Sequence, residues 1–297
     1  MNIDSFLKIG HSHTMCQDYI LTGDDPCPYI ILADGCSQSK DSDIGARILC
    51  HSALNFLKRN WERLEEITVH ELGRDVIVHS EIISEHFNVR NQDLDATLIV
   101  AFKWNGVYKV FMYGDGVIYW IKPDDTIQYY NITFKPNAPA YLRYQIDGRE
   151  DYVKNGIKMF IETVNGDQET FFGPLIPYHV IIPENAVKTL MIASDGVSSL
   201  IYKEEVLYKS LYLEMLSDIK LYNSSIHRNQ NKPFIPPARI NQGVKELNFK
   251  TVCSSMTDFK LTKGAFVSRR AKKTLKEYLQ QGFVNDDDLS IGCFFEG

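Results

Sequence analysis

Six short stretches of the chain are apolar at consecutive positions: residues 29–33, 97–102, 107–113, 117–121, 189–193 and 289–295. Runs without a polar face suit strands that are covered on both sides. Asn105-Gly106 separates the second run from the third, and Gly114-Asp115-Gly116 separates the third from the fourth. Both are turn signals, so 97–121 reads as an antiparallel meander. Other segments have helical spacing. Ser42 or Asp43 caps a helix whose apolar stripe is Ile44, Ile48, Leu49, Ala53, Phe56 and Leu57. Thr68-Val69-His70-Glu71 is a capping box, with Val76, Ile77, Ile83 and Phe87 as the stripe behind it. A third helix is expected over 203–222, with Val206, Leu207, Leu211, Met215, Leu216 and Ile219 facing inward. A last one begins near Ser268 and stops at Gly282, a residue suited to the position after a helix end. The polar, proline-bearing stretch 223–243 reads as a surface loop.

Strands gathered in the middle and at the end, with helix pairs between them, predict an α+β layered sandwich. No repeat and no linker divides the chain, so one domain over residues 1–297 is expected.

Composition narrows the classes. With 44% hydrophobic residues among 297, the chain can bury a full core. A formal charge of −6 does not favour a nucleic-acid binder, which needs a basic face to release counterions. The one basic concentration is the exposed side of the last helix, with Arg269, Arg270, Lys272, Lys273 and Lys276. Such a run is normally a solvated face, and its other use is recruitment of an acidic or phosphorylated partner. Six scattered cysteines, with no Cys-x-x-Cys pair, read as free thiols in a reducing compartment. The first ten residues carry Asp4 and Lys8 and no long apolar core, so no signal peptide is expected. No apolar run reaches the ~20 residues of a membrane helix. The expected setting is the cytoplasm, with neither membrane nor nucleic acid as a partner.

Candidate chemistry lies where buried runs meet acidic turns. The run 29–33 ends in Asp34-Gly35, and 189–193 leads through Ser194 into Asp195-Gly196. Asp286-Asp287-Asp288 runs directly into the final strand. Asp-Gly is also the commonest kind of turn. Two strand-ending Asp-Gly pairs and an acidic triplet at a third strand are a different matter. Aspartates from distant segments that meet at strand ends repel one another unless a cation neutralises them. Hard divalent cations take oxygen ligands of this kind.

Taken in order, Cys16-Gln17-Asp18, Ile31-Leu32-Ala33-Asp34-Gly35, Asp95-Ala96-Thr97-Leu98, Gly114-Asp115-Gly116, Ala193-Ser194-Asp195-Gly196 and Asp287-Asp288-Leu289-Ser290 resemble the successive motifs of the metal-dependent protein phosphatases of type 2C, in a bacterial-like form. The resemblance spans Gln17 to Ser290. It implies a four-layer α-β-β-α sandwich with two central, mainly antiparallel sheets and two Mg2+ or Mn2+ ions at one end. By that resemblance Asp34 bridges both cations and the Gly35 carbonyl binds one. Asp195 and Asp287 bind the other, Asp18 orients water from behind, and Asp115 serves a third, weaker site shared with Asp195. The implied reaction is hydrolysis of phosphoserine or phosphothreonine in a protein, a kinase or its targets, by a metal-activated water. Asp18, Asp34 and Asp195 carry the catalysis.

Three positions depart from the family pattern. His13 stands where many members have a phosphate-gripping arginine, and an imidazolium donates to phosphate without the guanidinium fork. Cys36 stands where eukaryotic members often have a histidine, which leaves leaving-group protonation to water or to another residue. It lacks the Cys-x5-Arg cradle of a thiol phosphatase and is expected to be a bystander. Ser199 stands where some members have an acid near the third metal. The interval 121–185 matches the part of the family that includes a mobile flap beside the site. Two other readings stay open: a catalytically silent binding or regulatory module, and a phosphatase of a small phosphoester. Oligomeric state has no signature in the sequence.

Overall fold

Strands that are apolar on both faces must be covered on both faces, and four layers meet that demand. The computed structural model describes residues 1–135, 139–145, 157–166, 168–171, 177–203 and 246–297. One five-stranded sheet contains β2 (Asp18–Gly23), β3 (Tyr29–Gly35), β4 (Ala96–Trp104), β5 (Val107–Tyr113) and β10 (Tyr178–Pro183), in the order β10-β5-β4-β3-β2. A seven-stranded sheet contains β1 (Asn2–Lys8), β6 (Gly116–Ile121), β7 (Ile127–Lys135), β8 (Lys158–Thr163), β9 (Gln168–Phe171), β11 (Thr189–Ala193) and β14 (Leu289–Phe295). Its order is β1-β14-β11-β6-β7-β8-β9. A short ribbon pairs β12 (Leu200–Tyr202) with β13 (Phe283–Asn285). Every described pairing is antiparallel.

The two-residue period of each strand sorts its side chains between layers. In β3, Ile31 and Ala33 face α1 (Ser42–Arg59) and α2 (Val69–His86), while Ile30 and Leu32 face the other sheet. In β11, Leu190 and Ile192 enter the same space between the sheets. Met191 and Ala193 turn outward, toward α3 (Phe249–Thr257) and α4 (Phe266–Gln280). Three apolar layers result, and the order of layers is α-β-β-α. This is the sandwich expected from the sequence.

All six apolar runs are strands, but 97–121 is not a meander. β4 and β5 form a hairpin through Asn105-Gly106, whereas β6 pairs with β11 and β7 in the opposite sheet. The chain crosses between sheets at Gly114-Asp115-Gly116, with φ of +97° at Gly114 and +133° at Gly116. A side chain at Gly116 would also stand 2.8 Å from the Ala193 carbonyl. Such a crossing needs glycine, just as a hairpin turn does, which is why the two look alike in sequence.

The helices show smaller differences. Asp41 occupies the start of α1 and makes no side-chain cap; the buried stripe runs through Ala46, Leu49, Ala53 and Phe56. Ile44 lies off that stripe and is 40% exposed. Thr68 caps α2 as expected, accepting from the Glu71 amide at 3.2 Å, but Phe87 sits past the last buried turn and is 73% exposed. α3, β1 and β2 were not foreseen, because each is short and carries polar residues. The last helix starts two residues early, at Phe266, and Gly282 follows it with φ of +87°. Part of its basic face is occupied internally: Arg269 donates to the Lys263 carbonyl at 2.6 Å, and Arg270 to the Ser255 carbonyl at 2.5 Å. The helix expected over 203–222, beyond Lys203, and the loop expected over 223–243 lie outside the described residues. No helix among the described residues is long and apolar enough to cross a membrane.

Phe294 belongs to the layer between the sheets and packs on Tyr108 with ring centroids 5.1 Å apart. Phe294→Ala should cost about 3–5 kcal/mol, the range for an aromatic deleted from a close-packed core. A urea denaturation curve should show this as a lower midpoint with unchanged slope.

Candidate active site

Strand register brings the acidic residues to one end of the sandwich. In the smaller sheet, β2 pairs with β3 so that Asp18 stands opposite Asp34, and β4 puts Thr97 on the other side of Asp34. The Thr97 hydroxyl accepts the Asp34 amide at 3.2 Å. In the larger sheet, Ala193 at the end of β11 faces Val117 of β6 and Ile291 of β14. The residues just beyond those three strand ends are Asp195, Asp115 and Asp287. Both sheets therefore point acids at a single cavity of about 130 Å³, lined by His13, Asp34, Gly35, Asp115, Asp195 and Asp287. Gln17, Cys36, Thr97 and Tyr141 complete much of its wall. Asp18 is buried beneath it.

The three acids of the triplet have separate partners. Asp286 pairs with Lys203 at 2.6 Å. Asp287 reaches the cavity and keeps 43% of its side-chain surface exposed. Asp288 turns the other way and is buried, accepting the Gly10 amide at 2.7 Å and the Gln17 amide at 2.5 Å. It latches the N-terminal loop against the last strand. His13, on that loop, stands with Nδ1 3.1 Å from Asp288 and Nε2 3.4 Å from Asp287. Burial works against a charged ring here. The carboxylate of Asp288 close by and the charges of Asp287 and Asp18 outweigh it, and the His13 pKa is raised.

Serines join the acidic segments to each other. The Ser194 hydroxyl donates to Asp18 at 2.9 Å and accepts from the Ser290 amide at 3.1 Å. The Ser199 hydroxyl donates to the Gly196 carbonyl at 2.8 Å and accepts from the Asp287 amide at 3.2 Å. The departure at Ser199 thus has a local role: it ties the Asp195 turn to the Asp287 turn. Gly196 has a related one. A side chain there would stand 1.8 Å from the Asp288 carbonyl, so the glycine after Asp195 brings two acidic turns together.

The electrostatics are those of buried like charges. Burial raises the Asp18 pKa to about 7 and that of Asp195 to about 6, with Asp288 adding to the first and Asp287 to the second. Asp34 is raised well above the carboxylate range by burial, then by Asp18, Asp195, Asp115 and Asp287. Asp115 is raised by burial and by Asp195. Asp34 stands opposite Asp18 across the β2–β3 pairing and shares the cavity with Asp195.

Does this set of residues fit a divalent cation? One oxygen each of Asp18 and Asp195 is buried with no hydrogen-bond donor. A buried carboxylate oxygen without a donor or counter-charge is costly, and a cation removes that cost. The carboxylates and the Gly35 carbonyl are hard oxygen donors, as Mg2+ and Mn2+ require. Among the described residues, no group of three or more His, Cys, Asp or Glu side chains stands in an arrangement that could hold a metal ion by side chains alone. The acids form an open cluster, which suits cations that keep several waters.

A family model described as protein phosphatase 2C matches residues 9–225. The chain belongs to that family. The structure is similar to a C. elegans sex determining protein, at 12% identity over 99% of this chain and 64% of that one, with a TM-score of 0.51. It is also similar to the serine/threonine phosphatase Stp1 from Staphylococcus aureus, at 13% identity over 100% and 96% of the two chains, TM-score 0.49. A third similar structure is the catalytic domain of the serine/threonine phosphatase PstP in complex with two manganese ions, at 13% identity over 98% and 96%, TM-score 0.46. No curated protein matches the sequence.

In this protein phosphatase 2C chain, Asp34, Gly35, Asp115, Asp195, Asp287 and His13 share the cavity, with Asp18 behind them. Asp288, Ser194 and Tyr141 were not singled out from the sequence. Asp288 and Ser194 adjoin the metal-like motifs, but only a three-dimensional partner list assigns them as latches. Tyr141 had no signal at all.

Each raised acid binds its proton more tightly folded than unfolded. Without cations, that stabilisation is present at low pH and is lost as pH rises through about 6 for Asp195 and about 7 for Asp18. In EDTA, the thermal midpoint of the wild type should therefore fall from about pH 5 to about pH 8. Asp34→Asn, which removes the central charge, should flatten that fall and be the more stable protein at the upper end. Parallel curves for the two proteins would show that these acids do not repel.

Proposed function

We propose that the chain is a Mg2+- or Mn2+-dependent phosphatase that hydrolyses phosphoserine or phosphothreonine in a protein substrate. The observation that carries this reading is the buried cluster in which Asp34 stands opposite Asp18 and shares the cavity with Asp195, with buried carboxylate oxygens lacking donors at the base of that open cavity. Membership of the protein phosphatase 2C family supports it.

Asp34, the Gly35 carbonyl, Asp195 and Asp287 would hold two cations, and Asp115 with Asp195 a weaker third. When bound, these cations supply water activated at neutral pH and neutralise charge on the phosphoryl oxygens. The chain's own groups do the rest. Asp18 is fixed by Ser194 and would accept a hydrogen bond from the attacking water. Asp288 holds the loop that carries His13 at the mouth of the cavity. The aspartates beside His13 favour its protonated form, and its Nε2 would donate to the substrate phosphate. The thiol of Cys36 takes no part.

With Mn2+, a phosphothreonine peptide and an aryl phosphate should both be turned over, and EDTA should abolish both reactions. Asp195→Ala should lower kcat at least about 10²-fold, the scale on which a positioned electrostatic group contributes. Cys36→Ser should keep most of the activity, and its complete loss would revive a thiol mechanism. Mn2+ binding by calorimetry without turnover of either substrate would instead favour a silent binding module. His13→Ala should raise KM for the phosphopeptide more than it lowers kcat, because it removes a contact made in both bound states.

A further inference from the structure

Tyr141 reaches the cavity from a segment that has no part in binding cations. It precedes a single 3₁₀ turn, Leu142–Gln145, and three anchors hold that turn in place. Leu142 is fully buried in the layer under α2. Arg143 makes a two-pronged pair with Asp95, Nε to Oδ1 at 2.6 Å and Nη2 to Oδ2 at 3.1 Å. Tyr144 donates to the same carboxylate at 3.4 Å and packs its ring on Tyr141, with centroids 5.4 Å apart. Asp95 has a second attachment. Its carbonyl accepts the Cys36 amide at 2.8 Å, immediately after Asp34 and Gly35. One residue therefore sets both the strand end that carries Asp34 and the turn that carries Tyr141.

Tyr141 stands with Cys36 in the wall of the cavity shared with Asp34, Asp115 and Asp195. A phenol hydroxyl is a hydrogen-bond donor, and a phosphoester oxygen accepts. Several other groups of the cavity are acceptors or already committed, and Ser37, Gln38 and Thr97 are the remaining hydroxyl and amide groups in its wall. The carboxylates cannot donate when ionised, and the Gln17 amide donates to Ser42 at 2.7 Å. His13 stands beside the aspartates of the opposite turn and is assigned to the phosphoryl oxygens, not to the ester oxygen. Expelling a serine or threonine oxygen from phosphorus builds charge on a poor leaving group, where a preorganised donor has its largest effect.

We infer that Tyr141 is a catalytic residue: its hydroxyl donates a hydrogen bond to the ester oxygen of the bound phosphoserine or phosphothreonine, and Asp95 with Arg143 positions it. In the step concerned, water adds its oxygen to phosphorus and gives up one proton to solvent. The bond from phosphorus to the ester oxygen breaks, with its electron pair going to that oxygen. The departing oxygen takes its proton from solvent, and Tyr141 keeps its own. The inference rests on the phosphoester-hydrolase reading and assigns the role that a cysteine at position 36 leaves open.

The test is Tyr141→Phe in the full chain with Mn2+, measured on a phosphothreonine peptide and on 4-nitrophenyl phosphate. A nitrophenolate leaves readily and needs little help, whereas an alkoxide needs much. For the peptide, kcat should fall on the order of 10²-fold, and for 4-nitrophenyl phosphate by less than about threefold. Mn2+ affinity by calorimetry should be unchanged. Asp95→Asn should show the same selective loss in weaker form, since it loosens the turn but keeps the hydroxyl. Equal losses on both substrates, or no loss on either, would overturn the inference while leaving the phosphatase reading intact. A wild-type protein that binds Mn2+ and hydrolyses neither substrate would overturn both.

Discussion

The mutual repulsion of buried carboxylates is the constraint that organises one end of this molecule. Asp18, Asp34, Asp115 and Asp195 are all raised by burial before any neighbour is considered. A cluster of that kind would spread apart if its supports could yield. They cannot yield easily, because each acid sits at the tip of a strand whose remaining side chains are locked in close-packed apolar layers. The hydrophobic sandwich and the acidic cavity are thus parts of one arrangement. The core supplies the rigidity, and the strand ends hold charge in a place it would otherwise leave.

Short hydrogen-bonded links complete that rigidity. Ser194 joins Asp18 in one sheet to the entry of β14 in the other, and Ser199 joins the turns of Asp195 and Asp287. None of these groups touches the centre of the cavity. They set the distances across it, which is what separates a cation site from a set of surface acids. The open cluster is consistent with this division of labour. The chain fixes directions and spacings, and waters are left to fill the remaining coordination positions.

Much of this was legible in the sequence, for a physical reason. A strand covered on both faces has no polar period, so the runs at 97–102 and 189–193 stand out, and an acid at the end of such a run marks the boundary between core and cavity. The order of the short motifs then carried the roles expected of Asp34, Asp195 and Asp287. The crossing at Gly114-Asp115-Gly116 was misread because a hairpin and a change of sheet make the same demand for positive φ. Only the partner of β6 distinguishes them, and that partner, β11, lies some seventy residues away. The edge strand β1 and the short helix α3 were missed because neither has enough apolar periodicity of its own. Both are formed by packing on elements distant in sequence. The same holds for Asp288, whose neighbour Asp287 is chemically identical and points the opposite way.

The departures at His13 and Cys36 look independent in sequence but are opposite sides of one design. On one side, His13 hangs from a loop that Asp288 pins to the final strand, so its ring is placed by an acid and biased toward charge by the same acid. On the other, Cys36 is placed by the backbone of Asp95, whose carboxylate holds the turn carrying Tyr141. In each case a buried aspartate outside the cavity wall positions a group on the rim. Acids at the centre and donors around it form a complementary pair: the centre needs positive charge to exist, and the rim needs a ligand that can accept. A phosphomonoester bound with divalent cations, as proposed, would meet both demands: the cations would answer the carboxylates, and the ester's own oxygens the imidazole and the phenol.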